Sequence, residues 1–220
     1  ATGGIRGAAV PGTNIAYVHG GYTGSDADDV ARSELYRVDL GSAERNFTKL
    51  TNQGDGAPRY LHAFAYDSKG EQLVVFGGFG GRKAFAPLLG DTWLVKPIGD
   101  TAHWTKVETP KGKAPSPRYG AFHAFDEPSR RFVVWSGAQK PKSAEDPINA
   151  AQDAWALDLT VDPPVWTKLA PAGEAPPGRR NGCMMHDPVG RRLFVFGGTA
   201  DGRTTLEGLW VLSLEPGHES

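Results

Sequence analysis

The sequence predicts an all-β fold built from four sequence repeats, and three observations lead to this prediction. Four β-branched and aromatic runs each close in a glycine-containing pair, whose last glycines are Gly21, Gly78, Gly137 and Gly198, spaced 57, 59 and 61 residues apart. No segment shows the long 3.6-residue apolar period of an amphipathic helix. The 29 glycines and 17 prolines are typical of a folded chain rich in turns, because their share lies below the level that indicates disorder.

Each repeat is expected to contain four short strands, named a to d in chain order. In the second repeat, strand a starts at Arg59 and ends in a turn opened by Asp67, as in a tight hairpin. Strand b is the apolar run that closes in Gly78, strand c carries Trp93, and strand d begins at Trp104 and continues Thr-Lys-Val. The matching aromatic residues of the other repeats are Tyr36, Trp155 and Trp210 in strand c, and Phe47 and Trp166 in strand d.

These landmarks resemble the kelch repeat, which has a glycine pair, an aromatic residue about 15 residues later, as from Gly78 to Trp93, and a following Trp-Thr-Lys strand. The resemblance covers nearly the whole chain, with repeats at about 3–57, 58–116, 117–177 and 178–214. Because each kelch repeat forms one blade of a β-propeller, the resemblance implies a single domain over residues 1–220. The implied fold is a kelch-type β-propeller of four repeats of about 59 residues, whose last blade lacks its outer strand.

Ring closure is open at this stage, because most kelch propellers have more than four blades. An incomplete ring would leave apolar blade faces in water, which is costly. Three arrangements remain: a compact four-bladed ring, two chains that complete a larger ring, or a piece of a longer protein. A homodimer that completes a ring is therefore one of the expected partners.

Composition excludes several classes of protein. The net charge of −1 carries no basic excess, so we expect no nucleic acid partner. The longest apolar runs have only a few residues, so we expect no membrane span. Cys183 is the single cysteine, which excludes an intrachain disulfide and a cysteine-based zinc cluster. Its equivalents, Ala63 and Phe122, are typical core residues, so Cys183 is expected to be buried.

The candidate ligand site follows from strand direction. Because successive antiparallel strands reverse, the d–a and b–c connections share one face, called here the d–a/b–c face. The b–c loops, at 22–33, 79–90, 138–152 and 199–207, are long and differ from one another, and loops on a rigid scaffold commonly carry function. The candidate ligand-binding residues on this face are Arg59, Tyr60, Phe79, Arg82, Phe85, Arg118, Tyr119, Arg179 and Arg180.

Two interpretations of the recurring arginines remain open. Arg59, Arg118 and Arg179 could ring a channel mouth and bind carboxylates, because a guanidinium pairs with a carboxylate through two parallel hydrogen bonds. Alternatively, each arginine ties adjacent loops together through backbone carbonyls, once in each blade. Arg180 interrupts the pattern, since Tyr60 and Tyr119 occupy its position in the preceding repeats.

No metal, cofactor or catalytic residue is predicted. The strand-a histidines His62, His123 and His186 lie at different depths, about 6.6 Å apart for each two-residue step, whereas zinc ligands lie about 2 Å from their metal. His19 is interpreted as a packed residue beside the first glycine pair. The sequence contains neither a Gly-x-Ser-x-Gly nucleophile motif nor a phosphate-binding loop.

The leading hypothesis is a non-catalytic binding module that holds a protein, a peptide or a small anionic ligand on the d–a/b–c face. It rests on a regular scaffold with irregular loops, and on the resemblance, since kelch propellers mostly bind proteins. One alternative is an enzyme whose channel, lined by Arg, Tyr and His, acts on a small or sugar-acid-like substrate. The other is a partial propeller completed by oligomerisation.

Overall fold

A computed structural model describes residues 2–24, 30–44, 46–54, 56, 58–80, 87–139 and 149–214. All regular secondary structure in these ranges is β-strand, as the sequence predicts. No helix in this part of the chain is long and apolar enough to cross a membrane. The chain divides into two compact units, Ala1–Val107 and Glu108–Ser220. Each unit contains two of the four sequence repeats.

The main sheet of the first unit has the strand order β2-β3-β6-β7-β11-β10-β9-β8, and a small sheet has the order β1-β4-β5. The bounds are β1 Thr2–Gly3, β2 Arg6–Ala9, β3 Ile15–His19, β4 Tyr22–Thr23, β5 Val30–Ala31, β6 Leu35–Asp39, β7 Phe47–Gln53, β8 Ala63–Asp67, β9 Gln72–Phe79, β10 Leu88–Ile98 and β11 Thr101–Val107. Neighbouring strands of the main sheet are antiparallel except β7 and β11, which run parallel. Strands a to d of the second repeat are therefore β8 to β11.

The second unit contains a sheet for each of its repeats, with the orders β12-β13-β16-β17 and β18-β19-β20, and a pair β14-β15. The bounds are β12 Phe122–Asp126, β13 Arg131–Trp135, β14 Ala138–Gln139, β15 Asn149–Ala150, β16 Ala154–Asp158, β17 Val165–Leu169, β18 Cys183–Asp187, β19 Arg192–Phe196 and β20 Leu209–Ser213. Neighbours are antiparallel throughout. In the fourth repeat, β18, β19 and β20 are strands a, b and c.

Aspartates close the turns between strands a and b. Asp67 is buried and accepts hydrogen bonds from the backbone N–H of Gly70 at 3.1 Å and the side chain of Gln72 at 3.0 Å. Asp187 accepts from the backbone N–H groups of Val189 and Gly190 at 3.1 and 3.0 Å. A short acceptor at this position satisfies turn donors that the strands leave unpaired, which explains its recurrence.

The glycine pairs end strand b because the backbone turns there with little space for a side chain. Gly78 has a φ of +95°, and an added Cβ would lie 2.7 Å from the carbonyl oxygen of Tyr60. In the third repeat, Ser136 adopts a φ of +57° in place of the first glycine. Its hydroxyl accepts from the backbone N–H of Arg179 at 2.7 Å. That hydrogen bond stabilises a conformation that otherwise favours glycine.

Each unit has an apolar core that joins its two repeats. The core of the first unit consists of Tyr17, Leu35, Leu50, Phe64, Leu73, Val75, Trp93, Val95, Ala102 and Trp104. Two clusters form the core of the second unit, namely Phe122, Trp135, Ala154 and Val195, and Val133, Ala156, Leu193 and Leu214. The strand-c and strand-d tryptophans contribute unequally, since Trp93, Trp104 and Trp166 are buried whereas Trp155 and Trp210 are half-buried.

One face of the fourth-repeat sheet is exposed and apolar. Met185 is 53% exposed and Phe196 is 55% exposed, and Leu209 and Val211 share this face. Cys183 pairs with Phe196 across the sheet and is exposed, so the prediction that Cys183 is buried is wrong. Its third-repeat equivalent is covered by the repeat that follows, whereas no further repeat follows the fourth in the described ranges.

We predict that Trp93→Ala lowers the free energy of unfolding by about 3–5 kcal/mol, because the change removes a buried indole and leaves a cavity. Urea unfolding measures the loss. Phe47→Ala is the matched control, because Phe47 is a largely exposed aromatic of the same unit and its removal should change stability by less than about 1 kcal/mol. Equal effects of the two substitutions would show that Trp93 is not a core residue.

Candidate functional site

The recurring arginines at the start of strand a are interior groups. Arg59, Arg118 and Arg179 are 0%, 1% and 1% exposed. Each donates from Nη1 to the carbonyl oxygen of the first residue in the strand-b pair of its own repeat. The distances are 3.1 Å to Gly77, 3.0 Å to Ser136 and 3.2 Å to Gly197. Each guanidinium thereby joins the start of strand a to the end of strand b.

An aspartate completes this arrangement in the second repeat. Arg59 donates from Nη1 and Nη2 to the two carboxylate oxygens of Asp91, both at 2.9 Å. Asp91 Oδ2 also accepts from the indole N–H of Trp93 at 2.6 Å. Burial alone would raise the pKa of Asp91, but the hydrogen bonds and charge of Arg59 hold it below its ordinary value.

The third repeat contains the same arrangement. Arg118 donates to Asp153 at 2.6 and 3.2 Å, and Asp153 accepts from the indole N–H of Trp155 at 2.8 Å. Burial would raise the pKa of Asp153, and the hydrogen bonds from Arg118 and Trp155 lower it. We call each set an Arg–Asp–Trp clamp. The sequence analysis missed the aspartates, although the signal was present as an Asp two residues before each Trp.

The backbones of Arg59 and Arg179 also connect neighbouring repeats within a unit. The carbonyl oxygen of Arg59 accepts from the backbone N–H of Gly21 at 3.0 Å, and that of Arg179 accepts from Gly137 at 2.9 Å. This geometry supports the second interpretation of Arg59 and Arg118, in which the arginine ties loops together. A buried guanidinium that already pairs with a carboxylate does not present its donors to a ligand.

Arg179 differs from the other two arginines. Gly208 stands two residues before Trp210, where the second and third repeats have aspartate. Arg179 donates from Nε to the carbonyl oxygen of Pro177 at 3.0 Å, and burial lowers its pKa. No carboxylate pairs with Arg179 among the residues that the structure describes. The fourth repeat therefore has an incomplete clamp.

Aromatic side chains surround Tyr60 in the first unit. The ring of Tyr60 lies 5.3 Å from that of Phe79 and 5.0 Å from that of Tyr22, measured between centroids. Tyr60 and Phe79 also exchange backbone hydrogen bonds of 3.0 and 2.9 Å. The structure thus brings two predicted site residues together, with Phe79 half-buried and Tyr60 buried. Arg82 and Phe85, which were predicted beside them, lie outside the described residues.

Arg180 and Tyr119 form a pair in the second unit. The guanidinium carbon of Arg180 lies 5.1 Å from the centre of the Tyr119 ring, and Nη1 donates to the Tyr119 hydroxyl. Arg180 exchanges backbone hydrogen bonds of 2.9 and 3.0 Å with Thr199, at the start of a b–c loop. Its Nε–H is buried and has no acceptor in the described part of the chain. Burial lowers the pKa of Arg180, and the charge of Asp201 partly opposes this effect.

Asp201 organises the loop beside Arg180. Its Oδ1 accepts from the hydroxyl of Thr199 at 2.9 Å and from the backbone N–H groups of Arg203 and Thr204 at 2.8 Å. These hydrogen bonds hold the pKa of Asp201 well below its usual range, with the backbone contribution of Arg203 the largest. The carboxylate is thus occupied by its own loop, and no salt bridge joins it to Arg180 in the described residues.

Two histidines form a buried pair that the sequence analysis did not predict. Nδ1 of His19 lies 3.1 Å from Nε2 of His62, and both residues are buried. Burial, together with the nearby charge of Arg59, lowers the pKa of His19 to about 3. Nε2 of His186 lies 3.3 Å from Oδ1 of Asp126. In the described ranges, no three His, Cys, Asp or Glu side chains are grouped so that they could hold a metal ion.

Repeated four-stranded antiparallel units with glycine pairs define a class of all-β repeat proteins, and comparison with known proteins gives the family. The chain belongs to the kelch-repeat family, because the KLHDC2/KLHL20/DRC7 Kelch-repeats domain matches residues 7–217. It is therefore a kelch-repeat domain of the β-propeller type, as the sequence predicts.

Curated relatives are much longer than this chain. Adagio-like protein 1 of Oryza sativa subsp. japonica is 26% identical over 191 residues, which cover 82% of this chain and 28% of that protein. The flagellar outer-arm dynein alpha chain of Chlamydomonas reinhardtii is 28% identical over 162 residues, or 73% of this chain and 3% of that protein. The chain thus spans less than a third of either relative.

A solved structure shows the same fold. The structure of YjhT matches 94% of this chain and 62% of its own, with a TM-score of 0.66 and 15% sequence identity. At this identity the similarity shows the fold alone.

We predict that His19 makes the fold less stable in acid. Its folded pKa of about 3 lies below the value of about 6.5 in an unfolded chain, so the unfolded state binds the proton first as the pH falls. Stability is therefore lost progressively below about pH 6.5. Between pH 7 and pH 5 this loss is about 2 kcal/mol, since one pKa unit corresponds to about 1.4 kcal/mol.

Urea unfolding at the two pH values tests this prediction with His19→Phe, since Phe76 and Phe196 occupy the same position in other repeats. Between pH 7 and pH 5, the free energy of unfolding of the variant should fall by about 2 kcal/mol less than that of the wild type. His103→Gln is the control, because His103 is exposed and lies outside the buried His19–His62 pair. An unchanged pH dependence in His19→Phe would contradict the prediction.

Proposed function

We propose that this kelch-repeat chain is a non-catalytic binding module in which four repeats form four propeller blades. Its ligand is a protein, a peptide or a small anion, held on the d–a/b–c face. Kelch-repeat domains typically serve as binding modules, which supports the general class. The observation that carries the site is Arg180, a half-buried arginine whose buried Nε–H has no acceptor in the described residues.

The surroundings of Arg180 suit a carboxylate. A buried donor without an acceptor is costly, and a ligand oxygen would satisfy it. A guanidinium binds a carboxylate through two parallel hydrogen bonds, and the guanidinium carbon of Arg180 is held 5.1 Å from the centre of the Tyr119 ring. Asp201 does not serve as the carboxylate partner of Arg180, because its oxygens accept hydrogen bonds from the 199–204 loop. Arg180 therefore differs from Arg59 and Arg118, whose guanidiniums are held by the fold.

Aromatic residues provide a second element of the proposed site. Tyr60 and Phe79 stack in the second repeat, and Tyr119 occupies the matching position of the third. Tyrosine supplies a large contact area at low entropic cost, which favours recognition of a peptide or a protein. Arg82 and Phe85 belong to the b–c loop that follows Phe79 and remain part of the proposal.

We predict that Arg180→Gln weakens the binding of carboxylate probes at least tenfold, because it removes the charge and the planar pair of donors. Isothermal titration calorimetry at low ionic strength measures the dissociation constants of glucuronate and of an acetylated tri-glutamate peptide. Arg180→Lys should give an intermediate loss, since it keeps the charge without the planar geometry.

Arg192→Gln is the matched control for this experiment. Arg192 lies in the same repeat and carries the same charge, but it is half exposed and pairs with Asp187 at 2.6 Å. Its removal should leave both affinities unchanged. Equal weakening in the two variants would mean that only net charge attracts the probes, and unchanged affinity in Arg180→Gln would remove Arg180 from the site.

A further inference from the structure

An apolar cavity of about 350 Å³ lies between the third and fourth repeats, within the second unit. Its lining includes Trp135, Leu169, Pro171, Gly173, Ala175 and Trp210. Part of the wall is the segment that leads from strand d of the third repeat to strand a of the fourth. The first unit shows what fills the corresponding place.

In the first unit that place is occupied by Trp104, the strand-d aromatic of the second repeat, which is buried. Its ring lies 5.0 Å from that of His19 and 6.2 Å from that of Trp93. Its indole N–H donates to Asn52 at 3.1 Å. A Cβ added at Gly56 would lie 2.6 Å from the indole, so the loop before the second repeat packs directly on this ring.

The residues around Trp104 correspond one by one to the cavity lining. In repeat alignment, His19 matches Trp135, Trp93 matches Trp210, Asn52 matches Pro171 and Gly54 matches Gly173. Trp104 itself has no match, because the described fourth-repeat sheet ends with β20. The cavity therefore lies where the aromatic side chain of a fourth strand d would pack. The described residues of the fourth repeat do not supply that side chain.

The outer edge of β20 lies beside this cavity. In the second and third repeats, strand c pairs antiparallel with strand d on the side away from strand b. β20 pairs with β19 on one side, and no strand in the described ranges pairs with the other. An unpaired edge is a template for an added strand. Residues 215–220 contain no Phe, Tyr, Trp, Val, Ile or Leu, so their sequence does not match strand d.

The complete repeats specify the chemistry of the strand that fits. Their d strands read Phe47-Thr-Lys-Leu50, Trp104-Thr-Lys-Val107 and Trp166-Thr-Lys-Leu169. Trp104 and Trp166 are buried, whereas the Thr and Lys that follow each of them are exposed. In the second and third repeats, the aromatic pairs with the strand-c residue two positions after its Trp, and the Lys pairs with that Trp. On β20 these partners are Leu212 and Trp210, and both line the cavity.

We propose that the edge of β20 opposite β19, at Trp210 and Leu212, and the cavity beside it bind an extended strand from outside residues 1–220, with the sequence pattern aromatic-Thr-Lys-aliphatic. The strand adds antiparallel to β20, and its aromatic ring enters the cavity between Trp135 and Trp210. This site differs from the one at Arg180. It takes a strand through backbone hydrogen bonds and one apolar side chain, whereas Arg180 takes an anion.

The chain's own second repeat supplies a probe for this proposal. A fluorescein-labelled, amidated peptide with the sequence of Thr101–Glu108 is titrated with the 220-residue protein and followed by fluorescence anisotropy. We expect saturable binding with one peptide per chain. The same peptide with Trp replaced by Ala, and a scrambled peptide, should bind at least tenfold more weakly. Absence of saturable binding up to millimolar protein would overturn the proposal.

A variant of the protein tests the cavity itself. Ala175→Trp places an indole in the cavity from its own wall and should abolish peptide binding. Ala170→Trp is the matched control, because Ala170 is exposed in the same segment and is not part of the lining. Thermal unfolding of both variants verifies that they fold. Full peptide binding by Ala175→Trp would overturn the proposal.

Light scattering distinguishes the sources of the strand. If a second copy of this chain supplies it, the mass in solution should exceed that of one chain and should fall when the peptide is added. If the chain is monomeric, no second copy occupies the edge of β20, and the peptide should bind without displacing one. The outcome at Arg180 is independent, because its probes are anions and its variant leaves β20 unchanged.

Discussion

The buried Arg–Asp–Trp clamp is the interaction on which the rest of this structure depends. A guanidinium in the protein interior is costly unless charged and polar groups pair with it. In the second and third repeats, Asp91 and Asp153 supply the charge, and a carbonyl oxygen near the end of strand b accepts a further hydrogen bond from each guanidinium. One side chain thereby fixes strands a, b and c of its repeat relative to one another.

Other recurring features of the sequence follow from this requirement. The strand-b residue whose carbonyl oxygen accepts from the arginine has a positive φ, +66° at Gly77 and +57° at Ser136, a conformation that favours glycine. The strand-c tryptophan completes the hydrogen bonds of the aspartate, as Trp93 does for Asp91. The carbonyl oxygen of Arg59 accepts from Gly21, so the clamp also fixes the preceding repeat.

The fourth repeat departs from this regular arrangement in three ways, and both proposed sites lie in that repeat. Gly208 replaces the clamp aspartate, and Arg180 replaces the tyrosine that follows the clamp arginine in earlier repeats. The described sheet also ends at β20, which leaves a cavity where the first unit holds Trp104. In the regular repeats the buried polar groups already have partners within the fold. Ligand binding is therefore expected in the fourth repeat, which departs from the repeat pattern.

The sequence predicted the all-β repeat fold because the spacing of glycine pairs and aromatic residues is set by strand and turn geometry. It identified Arg59 and Arg118 but left their role open, because recurrence is equally expected of a ring of ligand-binding groups and of a structural bond. The burial of Cys183 was predicted wrongly, since alignment with core residues of other repeats does not reveal whether a further sheet covers the same face of the fourth repeat. The His19–His62 pair and the cavity depend on contacts between repeats, which one repeat pattern does not encode.

A double-mutant cycle on Arg118 and Asp153, measured by urea unfolding, tests the clamp most directly. Because each single substitution leaves a buried charge without its partner, Arg118→Met and Asp153→Ala should each lower the free energy of unfolding by about 3 kcal/mol. The double variant should cost less than the two losses combined, by about 1–3 kcal/mol. Single losses below about 0.5 kcal/mol that simply add would contradict the account, because the arginine would then be free to serve a ligand.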